Sequence, residues 1–300
     1  MSRIQDILSK AERDGTTRRT RALPDDGHVM APIAVPARPP QAAAQSYESV
    51  GHQTPPWTST ATATAVAATP AVAQGALDAH LVAALAPQSL AAEQYRSLRT
   101  RIKRAENGRA VRAILITSPN KGDGKSLTAA NLAITMAQEF QQRVLLVDAD
   151  LRRPTVHRLF GVPEAPGLAD VLMGAAELDQ ALLHVPDHHL TLLPAGSVPS
   201  HPAELLGSAS MRRVLDSLRT RFDRILIDMP PVAPLADLHI VAPMADAVLM
   251  IVRAGVTPKP AIERALSGLD MSKVLGLVLN EAGSNGADTR TYEGYGYSAG

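Results

Sequence analysis

Short unbroken apolar runs recur through the later part of the chain: AILIT at 113–117, VLLV at 144–147, LTLL at 190–193, ILI at 225–227, AVLMIV at 247–252 and VLGLVL at 274–279. Their length and their lack of polar alternation predict strands buried on both faces, and the stretches between them are long enough to cross over as helices. The expected fold class is α/β, a doubly wound and mostly parallel sheet whose ligand site lies at the carboxyl ends of the strands. Earlier in the chain the pattern changes. Ile4, Ile7, Leu8 and Ala11 share one helical face, Ser2 with Gln5 can form a capping box and Gly15 can stop the helix. This predicts an amphipathic N-terminal helix over residues 1–15, able to dock on a partner or a membrane surface. Residues 16–76 are rich in Ala, Pro and Thr and hold no sustained period, so they read as a flexible linker with extended stretches. The ordered domain is expected over residues 77–283, followed by a flexible tail at 284–300.

Chemistry concentrates at three of the predicted strand ends. After the first comes Thr117-Ser-Pro-Asn-Lys-Gly122-Asp-Gly124-Lys125-Ser126, followed by a helical pattern from Leu127. Glycines let backbone N–H groups turn inward around phosphate oxygens, and the helix N-terminus adds positive potential. A lysine can neutralise β- and γ-phosphate charge, and a serine hydroxyl can ligate Mg²⁺. Gly122, Asp123, Gly124, Lys125, Ser126 and Leu127 are therefore the candidate nucleotide-binding residues. Taken alone the segment also reads as a tight strand-to-helix turn, since the first glycine of the usual G-x-x-x-x-G-K-S/T signature is replaced by Pro119.

The second run ends in Asp148-Ala-Asp150-Leu-Arg152. Alternation puts Asp148 and Asp150 on one side, where they can hold Mg²⁺ or accept a hydroxyl proton. The run at 225–227 is followed by Asp228, the expected place for a further magnesium carboxylate. Asp148 and Asp150 both remain open for the metal, directly or through water, and Asp228 is expected one layer outside the direct ligands; the candidate metal set is Ser126, Asp150 and Asp228. Three suitable strand ends in the right order favour a nucleotide site over a bare turn.

Composition narrows the function classes. The 300 residues suffice for one large α/β domain with appendages, and a net charge of +1 argues against nucleic acid as a partner bound by bulk charge. The absence of cysteine excludes disulfides, thiolate metal sites and cysteine nucleophiles, and suits a reducing cytosol. Neither a transmembrane helix nor a secretory signal is expected, so residence at a membrane would depend on something else. Of the five tyrosines, Tyr292, Tyr295 and Tyr297 fall within the last nine residues, on a Gly-rich strip with no packing pattern.

At these residues the sequence resembles the bacterial tyrosine kinase family of capsule and exopolysaccharide export, whose domain derives from P-loop ATPases of the MinD and ParA type. Lys125 and Ser126 match the family's Walker A loop, Asp148, Asp150 and Arg152 its hhhDxDxR element, and Asp228 with Pro230 its Walker B element. The resemblance implies ATP-dependent tyrosine phosphorylation with Mg²⁺, with Lys125, Asp148, Asp150 and Arg152 catalytic and Asp148 as the favoured base. Glu93-Gln-Tyr-Arg96-Ser-Leu-Arg99 is similar to the family's ExxRxxR motif, which implies self-association into rings through Glu93, Arg96 and Arg99. Tyr292, Tyr295 and Tyr297 are implied to be the phosphorylated residues, and Asn280 resembles an adenine-reading position. Also implied are a transmembrane chain-length-determinant (Wzz-like) activator, a cognate tyrosine phosphatase, and a cytoplasmic location peripheral to the inner membrane. Two positions depart from the patterns. Met229 replaces the usual Ser or Thr, and the signature lysine of the MinD and ParA group would occupy Asn120, so Lys121 takes no such role. The alternative is an ATP-switch protein of that group without kinase activity.

Overall fold

The computed structural model describes residues 77–139, 142–185, 188–232 and 237–282. The expected helix at 1–15, the linker at 16–76 and the tyrosine tail at 284–300 lie outside the described residues. Seven strands form the centre: β1 Ala113–Thr117, β2 Val144–Asp148, β3 Leu183–Val185, β4 Leu190–Leu193, β5 Arg224–Asp228, β6 Ala247–Arg253 and β7 Val274–Asn280. They make one sheet in the order β3-β4-β2-β5-β1-β6-β7. All neighbours run parallel except β3 and β4. The helices that matter below are α1 Val82–Leu85, α2 Leu90–Ala105, α3 Lys125–Ala137, α4 Val156–Phe160, α5 Leu168–Leu172, α6 Leu178–Ala181, α7 Pro202–Leu206, α8 Ala209–Arg221, α9 Asp237–Val241 and α10 Lys259–Ser267.

The unbroken apolar runs follow from two cores. In β1, Ala113 and Leu115 pack into the layer that holds Met211, Leu215 and Leu218 of α8. Ile114 and Ile116 face the opposite layer, with Leu132 and Ile134 of α3. A strand with helices on both sides has no wet face, so every position is apolar. The longer helices start at recognisable caps: Ser89 Oγ accepts the Ala92 N–H at the head of α2, and Ser208 Oγ accepts that of Met211 in α8.

Two features depart from the sequence expectation. β3, antiparallel to β4, was not foreseen, because three residues with His184 exposed carry no readable period. β7, expected to be buried on both faces, is the terminal strand beside β6 and is only half-buried along its length, with Leu279 60% exposed. An end strand lacks a neighbour on one side, and its composition alone does not reveal this.

The sheet order places β2, β5 and β1 side by side. Asp148 pairs across to Asp228, and Ile116 of β1 pairs with Asp228 on the other side. The carboxyl ends of these strands are therefore level, and the segments that follow them converge on one place.

Candidate active site

The loop after β1 is held in a shape that only glycine adopts readily at two points, with φ of 89° at Gly122 and 88° at Gly124. A side chain at Gly124 would also overlap the Asn280 amide, whereas the space beside Gly122 is open. Lys125 then begins α3, and its Nζ lies 3.0 Å from Asp150 Oδ2, 3.4 Å from Asp228 Oδ1 and 3.0 Å from Ser126 Oγ. Burial would lower the lysine's pKa, but Asp228 and Asp150 outweigh it and hold it above its ordinary value. The ammonium is therefore charged at neutral pH.

The three carboxylates have different surroundings. Asp228 is fully buried, and burial raises its pKa in spite of Lys125. Asp148 is also fully buried; its Oδ1 accepts the Asp150 N–H at 3.1 Å, and its Oδ2 accepts those of Thr155 at 2.9 Å and Val156 at 3.0 Å. Burial, followed by repulsion from Asp228, pushes Asp148 up to about 7. Asp150 Oδ2 faces Lys125, and Asp150 lines a cavity of about 590 Å³ together with Gly122, Lys125, Ser126, Arg152 and Thr155. Asp148 and Asp228 stand behind that wall. The expectation that Asp148 acts as base thus meets a carboxylate occupied in shaping the turn from β2 into α4.

Arg152 reaches the cavity while its guanidinium is forked onto Asp237, with Nε to Oδ2 at 2.9 Å and the second pair at 3.2 Å. Gly124 and Leu127 also line the cavity; Asp123 and Asn280 do not. Asp123 is 2% exposed and accepts from the Asn120 N–H and from Thr257 Oγ1, and Asn280 Nδ2 donates to its carbonyl at 3.0 Å. Asn280 is therefore packed against the loop rather than open to the cavity.

The ExxRxxR residues do lie on one helix, α2. Glu93 and Arg96 pair with each other at 2.7 Å, and Arg96 also donates to Pro87 O. Arg99, half-buried like Arg96, donates to Thr135 O at 2.6 Å near the end of α3. Tyr292, Tyr295 and Tyr297 lie outside the described residues. Sequence reasoning missed Asp237 and Thr257. Thr257 meets Asp123 across 134 residues of chain, a pairing that no local pattern announces.

A glycine loop leading from strand to helix, its lysine between two strand-end aspartates beside a large cavity, defines a P-loop nucleotide-binding α/β domain. The family model described as AAA domain matches residues 111–269. Tyrosine-protein kinase YwqD of Bacillus subtilis (strain 168) is 37% identical over 220 residues, which cover 73% of this chain and 90% of that protein. The putative tyrosine-protein kinase EpsB of Ralstonia nicotianae is 35% identical over 222 residues, but the match spans only 29% of its length. Among solved structures, the BceF tyrosine kinase domain is similar with a TM-score of 0.61 and 35% identity, covering 66% of this chain and 81% of that one. The chain belongs to the AAA-domain family and, within it, to the bacterial protein-tyrosine kinases. No helix among the described residues is long and apolar enough to cross a membrane.

Proposed function

We propose that this chain transfers the γ-phosphoryl group of ATP to tyrosine hydroxyls, and that Tyr292, Tyr295 and Tyr297 of another copy are among its acceptors. The observation that carries the reading is the Lys125 ammonium, 3.0 Å from Asp150 and 3.4 Å from the buried Asp228 at the wall of the cavity. A lysine so placed can exchange carboxylate for phosphate oxygen, and the N–H groups around Gly122 and Gly124 add donors to the same place. In the transfer, the phenolic oxygen bonds to the γ-phosphorus, the bond from that phosphorus to the oxygen of the departing ADP breaks, and the phenolic proton passes to a carboxylate. Of the three aspartates, Asp150 is the one that lines the cavity and is placed to receive it.

The donor set also suits Mg²⁺. Ser126 Oγ and Asp150 are hard oxygen donors at the cavity wall, and Asp228, behind it and facing Lys125 at 3.4 Å, could accept from a metal-bound water. Mg²⁺ is usually held by one or two carboxylates together with substrate phosphates, so a complete protein cage is not required. When bound there it would neutralise charge on the phosphates. Arg152, fixed by Asp237, would point a second cation at the cavity.

In this reading the protein regulates exopolysaccharide or capsule polymerisation and export. It works from the cytoplasmic face of the inner membrane, activated by a transmembrane chain-length-determinant (Wzz-like) protein and reversed by a tyrosine phosphatase. EpsB, CapB and CpsD among its relatives are named as tyrosine-protein kinases or putative ones. The test is to incubate the purified full chain with ATP and Mg²⁺ and map phosphotyrosine by mass spectrometry. Phosphate on Tyr292, Tyr295 and Tyr297 is expected; ATP hydrolysis with no phosphotyrosine would instead make the chain an ATP switch.

A further inference from the structure

Asp123 presents a physical puzzle. A carboxylate 2% exposed, inside a loop read as binding phosphate, places negative charge under a site meant for anions. Electrostatics alone would select against it, so its benefit must be geometric. Both of its oxygens are occupied: Oδ2 accepts the Asn120 N–H at 2.9 Å and Oδ1 accepts the Thr257 hydroxyl at 2.8 Å. Those two donors hold it in place.

Thr257 in turn has its direction fixed. Its oxygen accepts the Arg253 N–H at 3.0 Å, from the end of β6, which leaves its single hydrogen for Asp123. On the other flank Asn280, the last residue of β7, donates to the Asp123 carbonyl and fills the space where a side chain at Gly124 would sit. The end of β7 is tied to β6 as well, through Ala254 N–H to Asn280 O at 2.8 Å. The loop that begins at β1 is thus clamped from the side by two strands whose residues lie far along the chain.

We infer that Thr257 is a positioning residue for the phosphate loop: its hydroxyl orients the Asp123 carboxylate, which holds the Asn120 amide and so presets the turn through Gly122 and Gly124 for a nucleoside triphosphate. The inference rests on the reading of that loop as a nucleotide site. Thr257 touches no reacting atom; it acts through Asp123. Donors aimed before the ligand arrives need no reorganisation on binding, which is how such an anchor raises affinity.

The test compares Thr257→Val, which keeps the shape and loses the hydroxyl, with Thr257→Ser, which keeps the hydroxyl. On nucleotide-free full-length protein, hydrogen exchange at the Asn120 amide is expected to accelerate in the valine variant and to stay as in wild type in the serine variant. In titrations with Mg-ATP, the valine variant is expected to bind about tenfold more weakly, the scale of one hydrogen bond to a charged group, with serine restoring affinity. Valine also leaves Asp123 Oδ1 and the Arg253 N–H without their partner, so its unfolding midpoint without nucleotide should fall. Exchange at amides of β2 and β4, away from the loop, should agree among all three proteins, which separates positioning from general loosening of the fold. Wild-type exchange and affinity in the valine variant would overturn the inference. If wild type itself bound no Mg-ATP, the nucleotide reading would fall and the positioning role with it, while the exchange result would still report whether the clamp exists.

Discussion

Asp148 and Asp150 are both buried and both accept backbone amides, but only Asp150 also faces Lys125 and lines the cavity, and the account assigns them different consequences. Asp150→Asn keeps the size of a side chain at the cavity wall but removes the charge facing Lys125, so phosphoryl transfer should fall by about 10²-fold or more while the fold persists. Asp148→Asn removes a carboxylate whose oxygens accept the amides of Asp150, Thr155 and Val156. An asparagine oxygen can still accept, but its NH₂ group would meet amide donors, so this variant should lose activity together with thermal stability. Turnover and unfolding midpoints measured on both proteins check the distinction; equal stability loss in both would contradict it. The lysine, the serine and all three aspartates of this site were legible in the sequence, because each sits at a strand end or a glycine turn with a chemical reason to be there. Which aspartate faces the cavity was not, since alternation puts Asp148 and Asp150 on one side without saying that backbone amides claim the first.

At the scale of elements, the short helix α5 shows how a five-residue segment is held. Asp170 Oδ2 accepts the Gly167 N–H at 2.8 Å and the Ser197 N–H at 3.2 Å, joining α5 to the segment after β4. Burial would raise the Asp170 pKa, but these donors outweigh it and keep the carboxyl below its ordinary value of 3.8. The folded protein therefore holds this proton less tightly than the unfolded chain. The resulting stabilisation is fully present above the unfolded value and is lost as pH falls through the lower folded one. Asp170→Asn should cost about 1–3 kcal/mol at pH 7 by urea unfolding, and the gap to wild type should shrink as the pH drops below 4. A gap that stays constant with pH would contradict the assignment. Apolar runs revealed six of the seven strands, whereas β3 escaped because three residues set no period. The half-exposed state of β7 escaped too, as strand order decides which strand lies at an end.

For the whole molecule, the account is of copies acting on one another. Glu93 is exposed on α2 and Arg96 and Arg99 are half-buried beside it, where the three can contribute to contacts between copies. Each phosphate added to Tyr292, Tyr295 or Tyr297 brings about −1.5 to −2 charges, which would repel a tail from a site containing Asp148, Asp150 and Asp228 once nucleotide has left. Light scattering should show wild type shifting to a smaller species after ATP, with the triple Tyr→Phe variant keeping its size; one unchanging size for both would refute the switch. The central claim, that the Lys125 site phosphorylates tyrosine on another copy, is tested most directly by mixing two proteins. One is Lys125→Met with its tyrosines intact, and the other has an intact site with Tyr292, Tyr295 and Tyr297 all changed to Phe. Mass spectrometry should find phosphotyrosine on the Lys125→Met chain in the mixture with Mg-ATP and none on that chain alone. Phosphotyrosine on Lys125→Met by itself, or none in the mixture, would contradict the account.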